Sequence, residues 1–242
     1  MKIDILTLFP EFFESPLKTS IINRAQTQRL VEINLHNIRD FTHNKHHTVD
    51  DTPYGGGPGM VLKPEPVFEA VESLKPGLVI LLTPQGKVFN QEVAKSLFTQ
   101  THLIFICGHY EGVDERIISE LVDVEISIGD YILTGGEIPC LVVLDTIVRL
   151  IPCVLGNPES LESDSLAHQI LAHPQYTKPQ NFRGQMVPDV LVSGNHEKIR
   201  LWRKKQALAK TLIKRPDLFL EKATLSKEEK KLLQQITKEY DL

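Results

Sequence analysis

Three apolar runs that each end at a glycine-containing turn restrict the fold of this chain more than any other feature. The runs cover residues 78–82, 103–107 and 122–128, and the turns that follow them contain Gly86, Gly108 and Gly129. The first two runs contain no polar side chain, which is typical of strands buried on both faces of a parallel sheet. In such sheets ligands bind beyond the carboxyl ends of the strands, where glycine lets the backbone approach a ligand closely. The three turns together therefore predict one shared crevice.

Strand and helix patterns alternate around these runs. Residues 3–8 and 31–35 have strand patterns, residues 11–29 and 64–74 suit helices, and residues 137–151 suit a buried helix. A chain that alternates strands and helices forms a largely parallel sheet covered by helices on both faces. The predicted fold class is α/β.

The two parts of the chain differ in charge. Of the 242 residues, 41% are hydrophobic and 24% are charged, as in ordinary globular proteins. Residues 1–160 carry 12 Lys and Arg against 21 Asp and Glu, a net −9, whereas residues 161–242 carry 15 against 10, a net +5. A basic segment on an acidic protein indicates that a polyanion contacts the C-terminal part.

Neither a leader peptide nor a membrane span is expected. The apolar N-terminus meets Pro10 and Glu11 without a small-residue cleavage site, and the longest apolar stretch contains Asp145 and Arg149. We therefore expect a cytoplasmic protein that does not contact a membrane. The cysteines form no C-x-x-C pair and are predicted to be reduced core thiols: Cys107, Cys140 and Cys153.

A histidine-rich loop permits two interpretations. It contains imidazoles and carboxylates that could bind a metal, namely His43, His46, His47, Asp50 and Asp51. The intervening Lys45 favours a solvated loop over a structural zinc site, and such a loop could also close over a substrate. The nearby glycine cluster at 55–59 does not open a helix, and no P-loop motif occurs, which argues against the usual nucleotide-binding folds.

The sequence becomes polar, acidic and aperiodic over residues 157–165, which predicts a domain boundary. We expect a first domain over residues 1–158, a linker over 159–168, and a small, mainly helical domain over 169–242. In the last of these, Asn195 or Gly194 could cap a helix that runs to Arg215, and Ser226 and Glu229 form a capping box.

The segment from His196 to Arg215 contains eight Lys or Arg and a single acidic residue. Such a helix suits phosphate contacts, but a solvated face with Trp202 in the core explains the pattern equally well. The candidate RNA-binding residues are Lys198, Arg200, Arg203, Lys204 and Lys205.

Long motifs follow one another along nearly the whole chain. They are YGGGPGM at 54–60, TPQG at 83–86, CGHYEGVDER at 107–116, SIGDYILTGGE at 127–137, RLIP at 149–152, ESDS at 162–165, PQY at 174–176 and LVSGNH at 191–196. In these motifs the chain resembles the bacterial tRNA (guanine-N1)-methyltransferases, a family of the SPOUT superfamily.

The resemblance implies a parallel sheet threaded into a deep trefoil knot, and a homodimer whose active sites are shared between subunits. It implies transfer of a methyl group from S-adenosylmethionine to N1 of the guanosine 3′ of the anticodon, position 37 of the tRNA. The residues expected to contact S-adenosylmethionine are Pro84, Gly108, Ile128, Gly129, Asp130, Tyr131, Ile132, Leu133, Gly135 and Gly136.

By the same resemblance, Asp164 is the general base, Arg149 assists it and Glu111 lies near the target base. These residue types suit the chemistry, because N1 of guanine must lose a proton before it attacks and a cation stabilises charge on O6. Glu159 and Glu162 are neighbouring carboxylates that only the motif excludes as the base. The resemblance also implies a need for Mg²⁺, whose ligands the sequence does not assign.

Two alternatives stay open. One is a SPOUT methyltransferase that acts on another RNA, such as ribosomal RNA. The other is an RNA-binding protein that keeps the fold without catalysis, against which the presence of Asp164, Arg149 and the glycine turns argues.

Overall fold

The computed structural model of this chain describes residues 1–155, 165–166, 169–221 and 225–240. The chain divides into two compact units, Met1–Gly156 and Asn157–Leu242. Most of the expected linker, residues 159–168, lies outside the described residues.

Unit 1 contains a five-stranded parallel sheet with the strand order β2-β1-β6-β5-β7. Buried clusters cover both faces of this sheet. One is formed with the helices Ser20–Thr27, Gln91–Phe98 and Glu137–Val148, and the other with the helices Pro64–Leu74 and Glu115–Leu121. The predicted α/β class with helices on both faces is therefore confirmed. The strands of the sheet are β1 Lys2–Thr7, β2 Glu32–Asn37, β5 Leu78–Val88, β6 His102–Cys107 and β7 Val124–Ser127.

The remaining elements of unit 1 are helices and one short antiparallel pair. The pair is β3 Asp50–Asp51 and β4 Val61–Leu62. Two 3₁₀ turns cover Pro10–Phe13 and Ile38–Phe41. The α-helices are α1 Glu14–Leu17, α2 Ser20–Thr27, α3 Pro64–Leu74, α4 Gln91–Phe98, α5 Glu115–Leu121 and α6 Glu137–Val148.

The single helix predicted over residues 11–29 is wrong, since the segment consists of a 3₁₀ turn followed by α1 and α2. The Thr19 hydroxyl donates to the carbonyls of Ser15 and Pro16 and so ends α1, after which Ser20 takes a positive φ of 53°. Side chains that bond to nearby carbonyls compete in this way with a continuous helix.

Two predicted helix starts are confirmed by the capping geometry. Pro64 opens α3, where a missing N–H costs nothing. In unit 2, the Ser226 N–H donates to Glu229 Oε2 over 2.7 Å and the Glu229 N–H donates to Ser226 Oγ over 3.2 Å, which is the predicted capping box.

Unit 2 is mainly helical and packs around a small cluster that includes Leu208, Leu232 and Ile236. Asn195 caps its longest helix by accepting a hydrogen bond from the Lys198 N–H over 3.0 Å. Its elements are β8 Asn181–Phe182, β9 Gln185–Met186, α7 Asp189–Val192, α8 His196–Lys214, α9 Asp217–Glu221 and α10 Lys227–Tyr240.

The cysteine prediction is correct for two of the three residues. Cys107 and Cys140 are buried in unit 1, whereas Cys153 is exposed just after α6 and is not a core thiol. The chain turns at this position, and Cys153 has a positive φ of 69°. No helix among the described residues has both the length and the apolar character needed to cross a membrane.

Candidate active site

A crevice of about 310 Å³ opens at the carboxyl ends of β5, β6 and β7. Its walls come from the far part of β5, from the turn after β6 and from the segment between β7 and α6, which are the three glycine-containing segments that the sequence singled out. Its volume is within the range of small-molecule sites in proteins. The predicted crevice is therefore present in the fold.

Close backbone packing holds the three walls together. The Gly136 N–H donates to Gly108 O over 2.8 Å, and a Cβ atom at Gly136 would lie 2.7 Å from Cys107 Cα. A Cβ atom at Gly86 would lie 2.4 Å from the backbone of Glu125. Real side chains do not approach backbone this closely, so only glycine permits this geometry at residues 86 and 136.

The turn after β6 carries an unusual backbone conformation. Tyr110 has a positive φ of 60°, and the turn is closed by the Gly112 N–H, which donates to His109 O over 3.1 Å. The His109 ring lies edge-on to both Phe9 and Tyr110, with centroid distances of 5.1 and 4.8 Å. A bulky residue in the left-handed region is rare and is found where function requires it.

This turn is also paired with the end of the glycine-rich loop at 55–59. The Glu111 N–H donates to Met60 O over 3.0 Å, and the Leu62 N–H donates to Gly112 O over 3.0 Å. A Cβ atom at Gly59 would lie 2.4 Å from Glu111 Cγ. The glycine-rich loop thus packs against the side chain of Glu111.

Carboxylates and a neutral thiol set the charge around the crevice. Glu111 and Glu115 both line it, and no lysine or arginine is among its lining residues in the described chain. Burial and a hydrogen bond with Cys140 raise the pKa of the Cys107 thiol well above its ordinary value, so this thiol stays uncharged. The crevice is therefore suited to a ligand that carries positive charge.

A third carboxylate lies beside the crevice wall and was missed by the sequence analysis as a site residue. Glu137, at the start of α6, is 5% exposed and accepts a hydrogen bond from Thr7 Oγ1 over 2.8 Å. A Cβ atom at Gly135 would lie 2.3 Å from Glu137 Oε2 and 2.7 Å from His109 Nδ1. That His109 atom is buried without a hydrogen-bond partner among the described residues. The sequence could not indicate this role for Glu137, because its hydrogen-bond partner Thr7 lies in β1, 130 residues away.

Nearly all of the residues expected to contact S-adenosylmethionine line the crevice. Asp130 is the exception: it is exposed and is not among the lining residues. The expected residues that do line it are Pro84, Gly108, Ile128, Gly129, Tyr131, Ile132, Leu133, Gly135 and Gly136.

Several further lining residues were not singled out from the sequence. Tyr110 and Thr134 belong to the same motifs as the expected residues, and membership of those motifs was the available signal. Glu115 and Ile118 are three residues apart on α5 and so share one helix face. This face lines the crevice because α5 packs beside the sheet, which the sequence alone does not show.

Two of the three expected catalytic residues, Glu111 and Arg149, are among the described residues. Glu111 lines the crevice. Arg149 is half-buried at the C-terminal end of α6 and is not among the lining residues, while its N–H donates to Asp145 O over 3.2 Å. Asp164, together with Glu159 and Glu162, lies outside the described residues.

The candidate RNA-binding cations of α8 fall into two groups. Arg200 is paired with Glu197 at 2.9 Å and with Glu228 at 2.6 Å, Lys204 lies 2.8 Å from Glu228, and Lys205 pairs with Glu239. The Arg200 and Lys204 side chains lower the pKa of Glu228 to about 2, so these pairs remain charged at neutral pH.

Lys198 and Arg203 form the second group. Both are exposed, and the described residues place no carboxylate within ion-pair distance of either side chain. Since Trp202 is half-buried beside the Tyr176 ring, with centroids 6.4 Å apart, part of α8 is a packed face and part is open to solvent. Among the five candidate RNA-binding residues, Lys198 and Arg203 are accordingly the most available to a phosphate.

The histidine-rich loop makes local polar contacts. His43 Nε2 lies 2.7 Å from Glu69 Oε2, and His47 Nδ1 lies 3.0 Å from Thr42 Oγ1. Within the described part of the chain, no group of three or more His, Cys, Asp or Glu side chains is arranged to hold a metal ion.

The sheet and its crevice define an α/β protein with a ligand site formed by backbone turns at the carboxyl ends of parallel strands. Residues 1–221 match the family described as tRNA (Guanine-1)-methyltransferase TrmD, and the chain belongs to this family.

Three relatives illustrate the similarity. Proteins of Dictyoglomus turgidum, Dehalococcoides mccartyi and Staphylococcus carnosus are 58%, 57% and 55% identical to the chain over 241, 244 and 242 residues. Each alignment covers 99% of this chain and 98% of the relative, and each relative is named tRNA (guanine-N(1)-)-methyltransferase.

Proposed function

We propose that the chain is a tRNA (guanine-N1)-methyltransferase that uses S-adenosylmethionine to methylate N1 of the guanosine 3′ of the anticodon, position 37 of the tRNA, in the cytoplasm. The observation that carries this proposal is the crevice, whose walls lie within the residues that match the family and whose lining contains five glycines and two carboxylates. The high identity to named relatives over the whole chain supports the same conclusion.

The crevice suits S-adenosylmethionine in both shape and charge. The donor supplies a methyl group on a cationic sulfur, and Glu111 and Glu115 provide a negative environment for it. Gly108, Gly135 and Gly136 present backbone along the crevice wall, and the Cβ position of Gly108 has only ordinary contacts, with Val113 Cγ1 and Leu82 O. These features favour a ligand recognised largely by backbone contacts.

The chain's own residues perform three tasks in the proposed reaction. Asp164 accepts the N1 proton of guanine as the N1–CH₃ bond forms and the S–CH₃ bond breaks. Arg149 stabilises negative charge that develops on O6, and Glu111 orients the base at the mouth of the crevice. The pairing of the Glu111 turn with Met60 keeps this carboxylate in place. We assign no Mg²⁺ ligand, because the described residues present no suitable cluster.

We also propose that the chain forms a homodimer through α6 and the segment before it. Large apolar side chains are exposed here, with Ile132 83%, Ile138 45% and Val142 41% exposed. Ile138 and Val142 are four residues apart on α6 and so share one helix face. An exposed apolar surface of this kind is typical of a protein interface. Light scattering should give twice the mass of the 27.4 kDa chain.

The knotted topology of the SPOUT superfamily is part of the same proposal. It is supported by the close crossing of the three crevice walls, where Gly136 contacts the backbone of Cys107 and Gly108. An experimental structure that traces residues 83–136 tests it directly.

The test of the function is single-turnover methylation of unmodified tRNA transcripts with labelled donor, followed by mapping of the methylated nucleotide by mass spectrometry. We expect label at N1 of guanosine 37. Asp164→Asn should slow the reaction by on the order of 10² to 10⁴-fold without weakening donor binding, whereas Glu162→Gln should remain active. Label on ribosomal RNA alone, or no transfer at all, would refute the proposal.

A further inference from the structure

The β8–β9 hairpin of unit 2 is exposed and has no role in the proposed function. Its two turn residues, Arg183 and Gly184, both have positive φ, at 53° and 84°, as in a type I′ turn. The Gly184 N–H donates to Asn181 Oδ1 over 3.0 Å, and the Val187 N–H donates to Gln180 O over 2.9 Å. These bonds fix the shape of the hairpin locally.

Arginine is an unexpected residue at the first position of this turn. Asn, Asp and Gly are preferred there because they tolerate a left-handed backbone. In this conformation the Arg183 guanidinium lies over the Phe182 ring, with 5.3 Å between Cζ and the ring centroid. A residue held in an unfavourable backbone region indicates that its side chain is needed at that place.

The hairpin exposes side chains that normally avoid water. Phe182 is 60% exposed and Met186 is 54% exposed, and the nearby Tyr176 is 50% exposed. Arg183 lies over one face of the Phe182 ring, and more than half of Phe182 is exposed, so the ring has free surface for a flat partner. An aromatic ring beside a guanidinium is the combination that stacks on a nucleic-acid base and binds its phosphate.

The charge of the surrounding segment identifies the class of partner. No Asp or Glu occurs between Asp164 and Asp189, whereas Lys178 and Arg183 lie within that stretch. A carboxylate-free, basic surface is complementary to a polyanion. An apolar protein partner would give no reason for the missing carboxylates.

We propose that the β8–β9 hairpin is a stacking platform for an unpaired base of the tRNA, with Phe182 against the base and Arg183 at an adjacent phosphate. This inference rests on the proposed function, since tRNA is the RNA that the enzyme must hold. It adds a contact in unit 2 that is separate from α8. Stacking explains why the platform needs no base-specific hydrogen bond, because every base has a π face.

The experiment uses the full chain and measures its binding to an unmodified tRNA transcript by fluorescence anisotropy over a series of salt concentrations. Phe182→Leu, which removes the π face, should weaken binding by roughly 10-fold or more, while Phe182→Tyr should bind like the unaltered chain. Arg183→Asn keeps a residue that favours the turn, so its melting temperature should be unchanged or higher. It should nevertheless weaken binding and reduce the salt slope by about one unit.

Lys231→Asn is the matched control, because it removes one exposed positive charge from α10 in the same unit. It should affect tRNA binding less than Arg183→Asn, and no variant should change the affinity for S-adenosylmethionine. If the unaltered chain neither binds nor methylates tRNA, the proposed function fails. If the unaltered chain binds and methylates tRNA, the hairpin proposal is overturned when Phe182→Leu and Arg183→Asn bind tRNA with the affinity and salt slope of the unaltered chain. A change of oligomeric mass with unaltered tRNA affinity would also overturn it.

Discussion

Substitution by alanine at two glycines of the crevice should have two different effects. Gly136→Ala should lower stability, whereas Gly108→Ala should weaken donor binding. A methyl group at Gly136 would lie 2.7 Å from Cys107 Cα and 3.0 Å from Gly108 N, closer than ordinary contact. Both neighbours are backbone atoms, one at the buried end of β6 and one in the turn that follows it, so they cannot move aside as a flexible side chain can. A methyl group at Gly108 would lie 3.7 Å from Val113 Cγ1 and 4.0 Å from Leu82 O, which is ordinary contact with two crevice-lining residues.

The expected magnitudes follow from these distances. Forcing an extra methyl group into a packed site costs about 1–3 kcal/mol, and weakening the hydrogen bond from Gly136 to Gly108 adds about 1 kcal/mol. For a chain of this length, Gly136→Ala should therefore lower Tm by roughly 4–16 °C. Gly108→Ala should leave Tm unchanged but place a methyl group where the donor binds. A steric penalty of about 1–3 kcal/mol against the ligand corresponds to roughly 5- to 150-fold weaker binding.

Differential scanning fluorimetry and titration calorimetry with S-adenosylmethionine separate the two effects. The reasoning is refuted if Gly136→Ala melts like the unaltered chain. It is also refuted if folded Gly108→Ala binds the donor with full affinity, since Gly108 would then not face the ligand.

Two further predictions test the catalytic turn and the basic helix. Gly59→Ala should lower kcat, because its Cβ would displace Glu111 from the crevice. Gly57→Ala has a similarly unfavourable φ of 129° but meets nothing within 4 Å and should remain active. Arg203→Ala should weaken tRNA binding and lower its salt slope by about one unit in a filter-binding assay, since Arg203 is exposed and without an ion pair among the described residues. Lys205→Ala should have less effect because Lys205 already pairs with Glu239, and equal effects would contradict this distinction.

The location of the crevice could be predicted from the sequence because the carboxyl ends of parallel strands meet at one edge. The glycine turns after β6 and β7 therefore lie at the same edge of the sheet, on either side of β5. The shape of β5 could not be predicted in the same way. TPQG reads as a turn, but β5 continues through it to Val88, with a register shift between Leu82 and Lys87. Ile126 of β7 pairs with both of these residues, and that tertiary pairing overrides the local preference for a turn.

Contacts that depend on strand order were also beyond the sequence analysis. The order β2-β1-β6 brings His36 and His102 to Asp4, although the three residues are far apart in the sequence. Alternation in residues 2–6 marks Asp4 as a polar residue in a strand, but only the neighbouring strands show that it is fully buried. The result is a polar cluster around Asp4, near the starts of β1 and β6.

This cluster predicts how the stability of unit 1 depends on acid. Burial raises the pKa of Asp4, but hydrogen bonds from His36 at 2.8 Å, Lys2 at 3.0 Å, His102 at 2.6 Å and Asn34 at 3.1 Å outweigh burial and lower it from 3.8 to about 2. Because the folded pKa is below the unfolded one, the ionised carboxylate stabilises the fold above pH 3.8, and this contribution is lost as the pH falls towards 2. The shift corresponds to about 2 kcal/mol.

Asp4→Asn should therefore reduce the free energy of unfolding in urea at pH 6. The difference in unfolding free energy between Asp4→Asn and the unaltered chain should shrink by about 2 kcal/mol between pH 5 and pH 2. Glu120→Gln, at an exposed carboxylate of α5, should show no such convergence. A difference between Asp4→Asn and the unaltered chain that stays constant over this range would mean that Asp4 does not titrate with the fold.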